Sequence, residues 1–196
     1  MKKIRAKVIS FSGTDGSGKS TQLEMLIKYF EETGITYRVF YGRSENSAIC
    51  RVIIKKMKVS GSPVYKYLYL LINHIVRIKL FCFDVRKKLN NEVLLLDRTV
   101  IDDVVDTAFL TSVIPRIPRL SIKSDIYIYT YAQAELMYSR IESRGEKFDL
   151  CEYKRKRVLY DMYYDSNLNV LRLDSGNMTK LQMFESVIFT VKKILI

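Results

Sequence analysis

The 196-residue chain is poor in residues that break or cross-link a fold, with eight glycines, three prolines and three cysteines. So few turn-formers exclude a collagen-like, linker-rich or loop-dominated chain. Cys50, Cys82 and Cys151 are odd in number, widely spaced and free of CxxC or Cys/His ligand spacing. That excludes a disulfide framework and a zinc site, and fits a reducing, cytoplasmic setting. His74 is the only histidine, so chemistry that needs several imidazoles is excluded. Long apolar runs are missing too. The greasiest stretch, residues 63–83, is interrupted by Lys66, Arg77 and Lys79, and its longest uncharged run is far shorter than the ~20 residues a bilayer span needs. The basic residues 1–7 lead into a short apolar run and then a glycine loop, with no cleavage site, so no signal peptide is expected.

What is abundant is positive charge. Lys and Arg number 33 against 21 Asp and Glu, a formal net charge of +12. Anionic partners are implied: nucleotides, nucleic acid or a lipid surface. With 48% hydrophobic residues, the chain can bury one sizeable core, and a single domain over residues 1–196 is expected.

Short apolar runs alternate with segments of helical period, the pattern of an α/β protein with a parallel sheet between helices. Five strands are predicted, at residues 7–12, 37–41, 92–96, 125–131 and 170–174. Helices are predicted at 19–33, 48–59, 63–89, 132–143, 151–164 and 179–195. Leu23, Leu26, Ile27 and Phe30 form the stripe of the first helix, and Gly34 reads as its C-cap.

Directly after the first strand comes Gly13-Thr14-Asp15-Gly16-Ser17-Gly18-Lys19-Ser20-Thr21, which satisfies the phosphate-loop pattern GxxxxGK(S/T). Glycines let the backbone curl until successive N–H groups point into one concavity, where the positive end of the next helix adds to them. Lys19 then reaches the β- and γ-phosphates of a nucleotide such as ATP, and the Ser20 hydroxyl ligates Mg²⁺. A chance match in a chain this long is on the order of one per cent. No (N/T)KxD element accompanies the loop, which disfavours a guanine switch, and the chain is short for a motor or transporter ATPase. Small-molecule kinases remain.

From Phe11 to Thr21 the sequence resembles the loop of the thymidylate kinase family, F-x-G-x-D-G-x-G-K-(S/T)-T. The run Val93-Leu94-Leu95-Leu96 followed by Asp97-Arg98 is similar to the family's strand ending in Asp-Arg. Arg140, Arg144, Gly145, Asp149 and Glu152 resemble its basic lid, placed here at about residues 140–152. The resemblance implies a three-layer phosphate-loop kinase fold, a homodimer, and transfer of the ATP γ-phosphoryl to dTMP. A same-fold kinase with another acceptor, a nucleoside or a phosphorylated sugar, and a non-catalytic nucleotide-binding regulator are the alternatives.

Individual roles follow. Asp97, at a strand's carboxyl end, can hold Mg²⁺ through water, and Arg98 offers a planar fork to the acceptor's phosphate; a strand-end ion pair is the plainer alternative. Arg140 and Arg144, four apart at a helix end, can bring charge to the transferred group or can be a solvated face. By resemblance Asp15 touches the acceptor sugar or metal-bound water; alternatively it shapes the turn. Arg77 corresponds to an acceptor-phosphate arginine, Asn73 stands where the family stacks an aromatic on thymine, and Arg43 matches a further acceptor arginine. The family's Tyr-x-x-Ser after Asp-Arg is absent: Thr99 and Asp102 occupy those positions. Asp102 either binds sugar hydroxyls or an amino-bearing base, or favours a helix N-terminus. The run Lys154–Arg157 reads as a solvated face, and nucleic-acid binding through it is not expected.

Overall fold

Five short, largely β-branched or aromatic segments pair side by side into one parallel sheet. In the computed structural model they are β1 (Val8–Ser12), β2 (Tyr37–Tyr41), β3 (Val93–Asp97), β4 (Ile126–Tyr131) and β5 (Val170–Asp174). The structure describes residues 7–41, 64, 68, 72, 92–99, 101, 102, 105, 123–145, 149–165 and 169–195. The strand order is β2-β3-β1-β4-β5, with every neighbouring pair parallel. β1 is therefore central, and its residues are all buried. The predicted strands match these to within a residue.

Parallel neighbours need crossovers, and the helices supply them. Among the described residues these are α1 (Lys19–Thr33), α2 (Ala134–Glu142), α3 (Leu150–Asp165) and α4 (Lys180–Leu195). α1 ends where Gly34 enters the left-handed region at φ 69°, as the sequence indicates. The helices predicted at 48–59 and 63–89 fall mostly outside the described residues. No helix among the described residues is long and apolar enough to cross a membrane.

Alternation along the strands sorts the core into two layers. Ile9, Phe11, Leu95, Ile128 and Leu173 meet Leu23, Leu26 and Phe30 of α1 and Met183, Val187 and Val191 of α4. On the opposite face Tyr127 and Tyr129 pack against Tyr160 and Tyr164 of α3, with Ile101 and Val105. Tyr129 stacks on Tyr160 at 5.4 Å and on Tyr164 at 4.9 Å between ring centroids. The second layer is thus built from tyrosines, which carry hydroxyls into the interior that need partners.

Three of the four charges in the run Lys154–Arg157 are paired within the chain. Lys154 meets Glu135 at 2.9 Å, Lys156 meets Glu152 at 3.1 Å and Arg157 meets Asp161 at 2.7 Å. Arg157 also lies 4.0 Å over the Tyr131 ring, so this cation is part of the packing of α3 on the sheet.

Candidate active site

The carboxyl ends of β1 and β3 open onto one edge of the sheet, where a parallel α/β fold places its ligand crevice. β1 runs out at Ser12 and the chain curls through Gly13 to Gly18 into α1. Gly13 has φ 141°, and a Cβ there would lie 2.2 Å from the Thr130 carbonyl oxygen; no other residue fits. Gly16 has φ 82°, and its Cβ would lie 2.9 Å from the Met137 carbonyl oxygen, so α2 packs directly on the loop. The α1 N-terminus has no side-chain cap, and its first amides remain for an anion.

The loop and α1 line an open cleft of about 200 Å³. Its walls are Thr14, Asp15, Gly16, Gly18, Lys19, Ser20, Thr21, Ile141 and Arg144. Gly13 and Ser17, expected in the cradle, are not among them. The Gly13 amide donates to Asp102 Oδ1 at 3.2 Å, the Ser17 amide to the Thr14 carbonyl at 3.3 Å, and the Ser17 hydroxyl meets Thr130 Oγ1 at 2.8 Å. These two residues shape the loop, whereas the others face the ligand space.

Lys19 is buried, and its ammonium donates to the Gly13 carbonyl at 3.0 Å. Burial, aided by the Arg98 charge, lowers its pKa, against the pull of Asp102, Asp15 and Asp97. Beside the loop, Arg98 donates to Asp15 Oδ1 at 2.7 Å; Asp15 lines the cleft, whereas Arg98 and Asp97 are not among its walls. Arg98 sits at φ 75°, a left-handed conformation that costs a non-glycine residue of order 1–3 kcal/mol and that recurs at functional sites. Its amide donates to the Phe11 carbonyl at 3.0 Å, which fixes the turn beside the phosphate loop. Asp97, paired with Phe11 in the β1–β3 ladder, leaves Oδ1 buried without a hydrogen-bond partner.

The two expected lid arginines differ. Arg140, near the end of α2, donates to the Gly16 carbonyl at 3.0 Å, to Ser175 Oγ at 2.9 Å and to the Ser175 carbonyl at 2.9 Å. It clamps the phosphate loop to the β5–α4 turn. Arg144, one turn beyond, is exposed and lines the cleft. Asp149 acts at the start of α3, where its Oδ1 accepts the Cys151 amide at 2.9 Å. Arg43, Asn73 and Arg77 lie outside the described residues.

Asp102 is not where an acceptor-binding role requires it. Its side chain is fully buried. Oδ2 accepts the Ser12 hydroxyl at 2.7 Å, the Thr99 amide at 2.5 Å and the Thr99 hydroxyl at 2.9 Å. Oδ1 accepts the Gly13 amide at 3.2 Å and the Tyr160 hydroxyl at 2.9 Å. Burial raises its pKa, but Lys19, Arg98, the Thr99 amide and the Ser12 hydroxyl outweigh that and hold it below the ordinary aspartate value. Thr99-x-x-Asp102 is a capping-box spacing at the start of a helical stretch, and this signal could have placed both residues from sequence. The expectation of a helix-start carboxylate is the one this geometry matches, although it acts by hydrogen bonds and not by the dipole alone. Tyr160, Thr130 and Ser175 carried no sequence signal, since their partners are distant in the chain.

Comparison with known proteins agrees with this geometry. The profile described as "Thymidylate kinase" matches residues 11–183. A thymidylate kinase of Caldicellulosiruptor saccharolyticus is 26% identical over 176 residues, covering 81% of each chain, and one of Plasmodium falciparum is 32% identical over 69 residues, 35% of this chain and 33% of its own. Among solved structures, a deoxyadenosine kinase from M. mycoides with the products dCMP and dCDP superposes with a TM-score of 0.69 at 18% identity, over 95% of this chain and 99% of that one. The same enzyme with dATP gives 0.65 at 20% identity, over 94% and 99%. These likenesses show the fold alone. The sheet order, the glycine-shaped loop and the profile match over most of its length together establish that the chain belongs to the thymidylate kinase family, whose members are ATP-dependent phosphotransferases.

Proposed function

We propose that the protein is a nucleoside monophosphate kinase that transfers the γ-phosphoryl group of ATP to dTMP, giving dTDP and ADP. The observation that carries this reading is the Arg98–Asp15 ion pair, which ties the end of β3 to a phosphate loop whose cleft also has Arg144 on its wall. The triphosphate tail lies on the α1 amides, with the remaining donors of the Lys19 ammonium turned to phosphate oxygens. Arg98, held by its left-handed backbone and by Asp15, presents two parallel donors to the acceptor phosphate. Arg144 supplies a second positive charge once the nucleotide is seated. Catalysis is then positioning and neutralisation of charge on the transferred group.

The residues fit a Mg²⁺ ion held mainly by substrate and water. Asp97 has an unpartnered buried carboxylate oxygen, and Ser20 has its hydroxyl in the cleft. Held by Asp97 and Ser20, the ion would offset the negative charge of the phosphates.

A deoxynucleoside acceptor is the second reading. Thr99 and Asp102 stand in place of the family's Tyr and Ser and both turn inward, so neither reads a base. The deoxyadenosine kinase likeness belongs with this alternative. Steady-state assays with ATP and a panel of deoxynucleosides and their monophosphates test both: turnover with dTMP supports the first, and turnover with nucleosides only replaces it by the second. A homodimer and a cytoplasmic setting belong to the same proposal, checked by sedimentation and fractionation.

A further inference from the structure

We propose that Asp102 is the positioning residue that makes filling of the phosphate loop felt at the end of β3 and along α3. The inference rests on the reading of the cleft as a nucleotide site. It starts from the division of labour between the two carboxylate oxygens. Oδ1 holds the Gly13 amide of the loop and the Tyr160 hydroxyl of α3, whereas Oδ2 holds the Thr99 amide beside Arg98 and the Ser12 hydroxyl at the loop's entrance. Hydroxyls can rotate to other partners, but the two backbone amides cannot. A carboxylate accepts from both amides at once; a carboxamide of the same shape accepts from one and meets the other with its own N–H. A serine, the residue of the family pattern, has one short oxygen and spans neither.

The tie is loaded by the ligand. Lys19 holds the Gly13 carbonyl while Asp102 holds the Gly13 amide, so Gly13 is gripped from both sides. A triphosphate draws on the remaining donors of the Lys19 ammonium and on the loop amides, and so pulls on the same grip. The resulting shift of the loop passes through the Gly13 amide to a carboxylate that is fully buried and cannot relax into solvent. Thr99 and Tyr160 move with it, and with them the turn that carries Arg98 and the helix that follows the lid segment. Coupling of this kind, through a packed hydrogen-bonded group with donors on several elements, is expected to be modest in size.

Amide hydrogen exchange with and without Mg·AMP-PNP tests this on wild type, Asp102→Asn and Tyr160→Phe. In wild type the nucleotide is expected to slow exchange about tenfold at residues 98–102 and in α3 around Tyr160, besides the loop and α1. In Asp102→Asn the slowing stays in the loop and α1. In Tyr160→Phe, the milder variant, it still reaches residues 98–102 but no longer α3. A residue that only stabilised the fold would speed exchange with and without nucleotide and leave the ratio unchanged. Wild-type binding without slowing beyond α1, or transmission in either variant equal to wild type, overturns the inference. Failure of wild type to bind Mg·AMP-PNP removes the nucleotide reading itself.

Discussion

The phosphate loop and the end of β3 beside it are made by different means. The phosphate loop is a backbone structure: Gly13, Gly16 and Gly18 adopt positive φ, Gly13 and Gly16 have no room for a Cβ, and the ligand-facing groups are the α1 amides. The end of β3 is a side-chain structure, with Arg98 held by Asp15 and Thr99 held by Asp102. Backbone geometry dictates residue type at fixed spacing, so the loop announces itself in sequence. Side-chain geometry depends on partners brought in from elsewhere, so at the end of β3 the sequence shows Asp97-Arg98 and the Thr99-x-x-Asp102 spacing but not the Asp15, Ser12 and Tyr160 contacts that fix them.

The contrast can be broken most sharply at Lys19. Lys19→Met should lower kcat about 10³-fold in an ATP-dependent assay, since it removes the one buried cation among the described residues, which the proposed function aims at the transferred group. Arg144→Ala should lower kcat about 10²-fold with melting unchanged, whereas Arg140→Ala should shift melting first, because it unties the loop from Ser175. Equal thermal shifts in the two variants would erase the distinction between them. At the end of β3, Arg98→Lys should raise the acceptor KM about 30-fold and leave the ATP KM near wild type, because an ammonium cannot reproduce the planar fork.

Away from the cleft, Phe30→Ala should cost about 3–5 kcal/mol of stability by denaturant titration, since Phe30 is fully buried between α1 and the sheet. The smallest effect concerns pH. Asp102 has a folded-state pKa below its unfolded value, so its contribution to stability is present above the unfolded pKa of about 4 and is lost as pH falls through the folded one. Asp102→Asn should therefore flatten the acid limb of the stability curve below about pH 4 and leave its slope near neutrality unchanged. A wild-type-like acid limb in the variant would show that other carboxylates set it.

The sheet and α1 were legible because alternation and the 3.6-residue stripe are local properties. Strands β2 and β5 and the end of α1 at Gly34 appear where the sequence puts them. α3 appears where a helix is predicted at 151–164, but its packing is not legible. Its buried face is Tyr153, Tyr160 and Tyr164, which hydropathy scores poorly although Tyr160 and Tyr164 stack on Tyr129. Arg140 was legible as a cation near a helix end but not as a clamp, because Gly16 and Ser175 lie 124 and 35 residues away in the chain. For Asp102 the sequence leaves two readings open, an acceptor-binding carboxylate by the family pattern and a helix-start carboxylate by its spacing. Only the fold reveals that Ser12, Gly13 and Tyr160 converge on it from the other side.

The account is tested most directly by incubating wild type and Lys19→Met with γ-labelled ATP, Mg²⁺ and dTMP and following the label. It predicts labelled dTDP from the wild type and none from the variant. A wild type that binds ATP yet passes label to no monophosphate or nucleoside would contradict it.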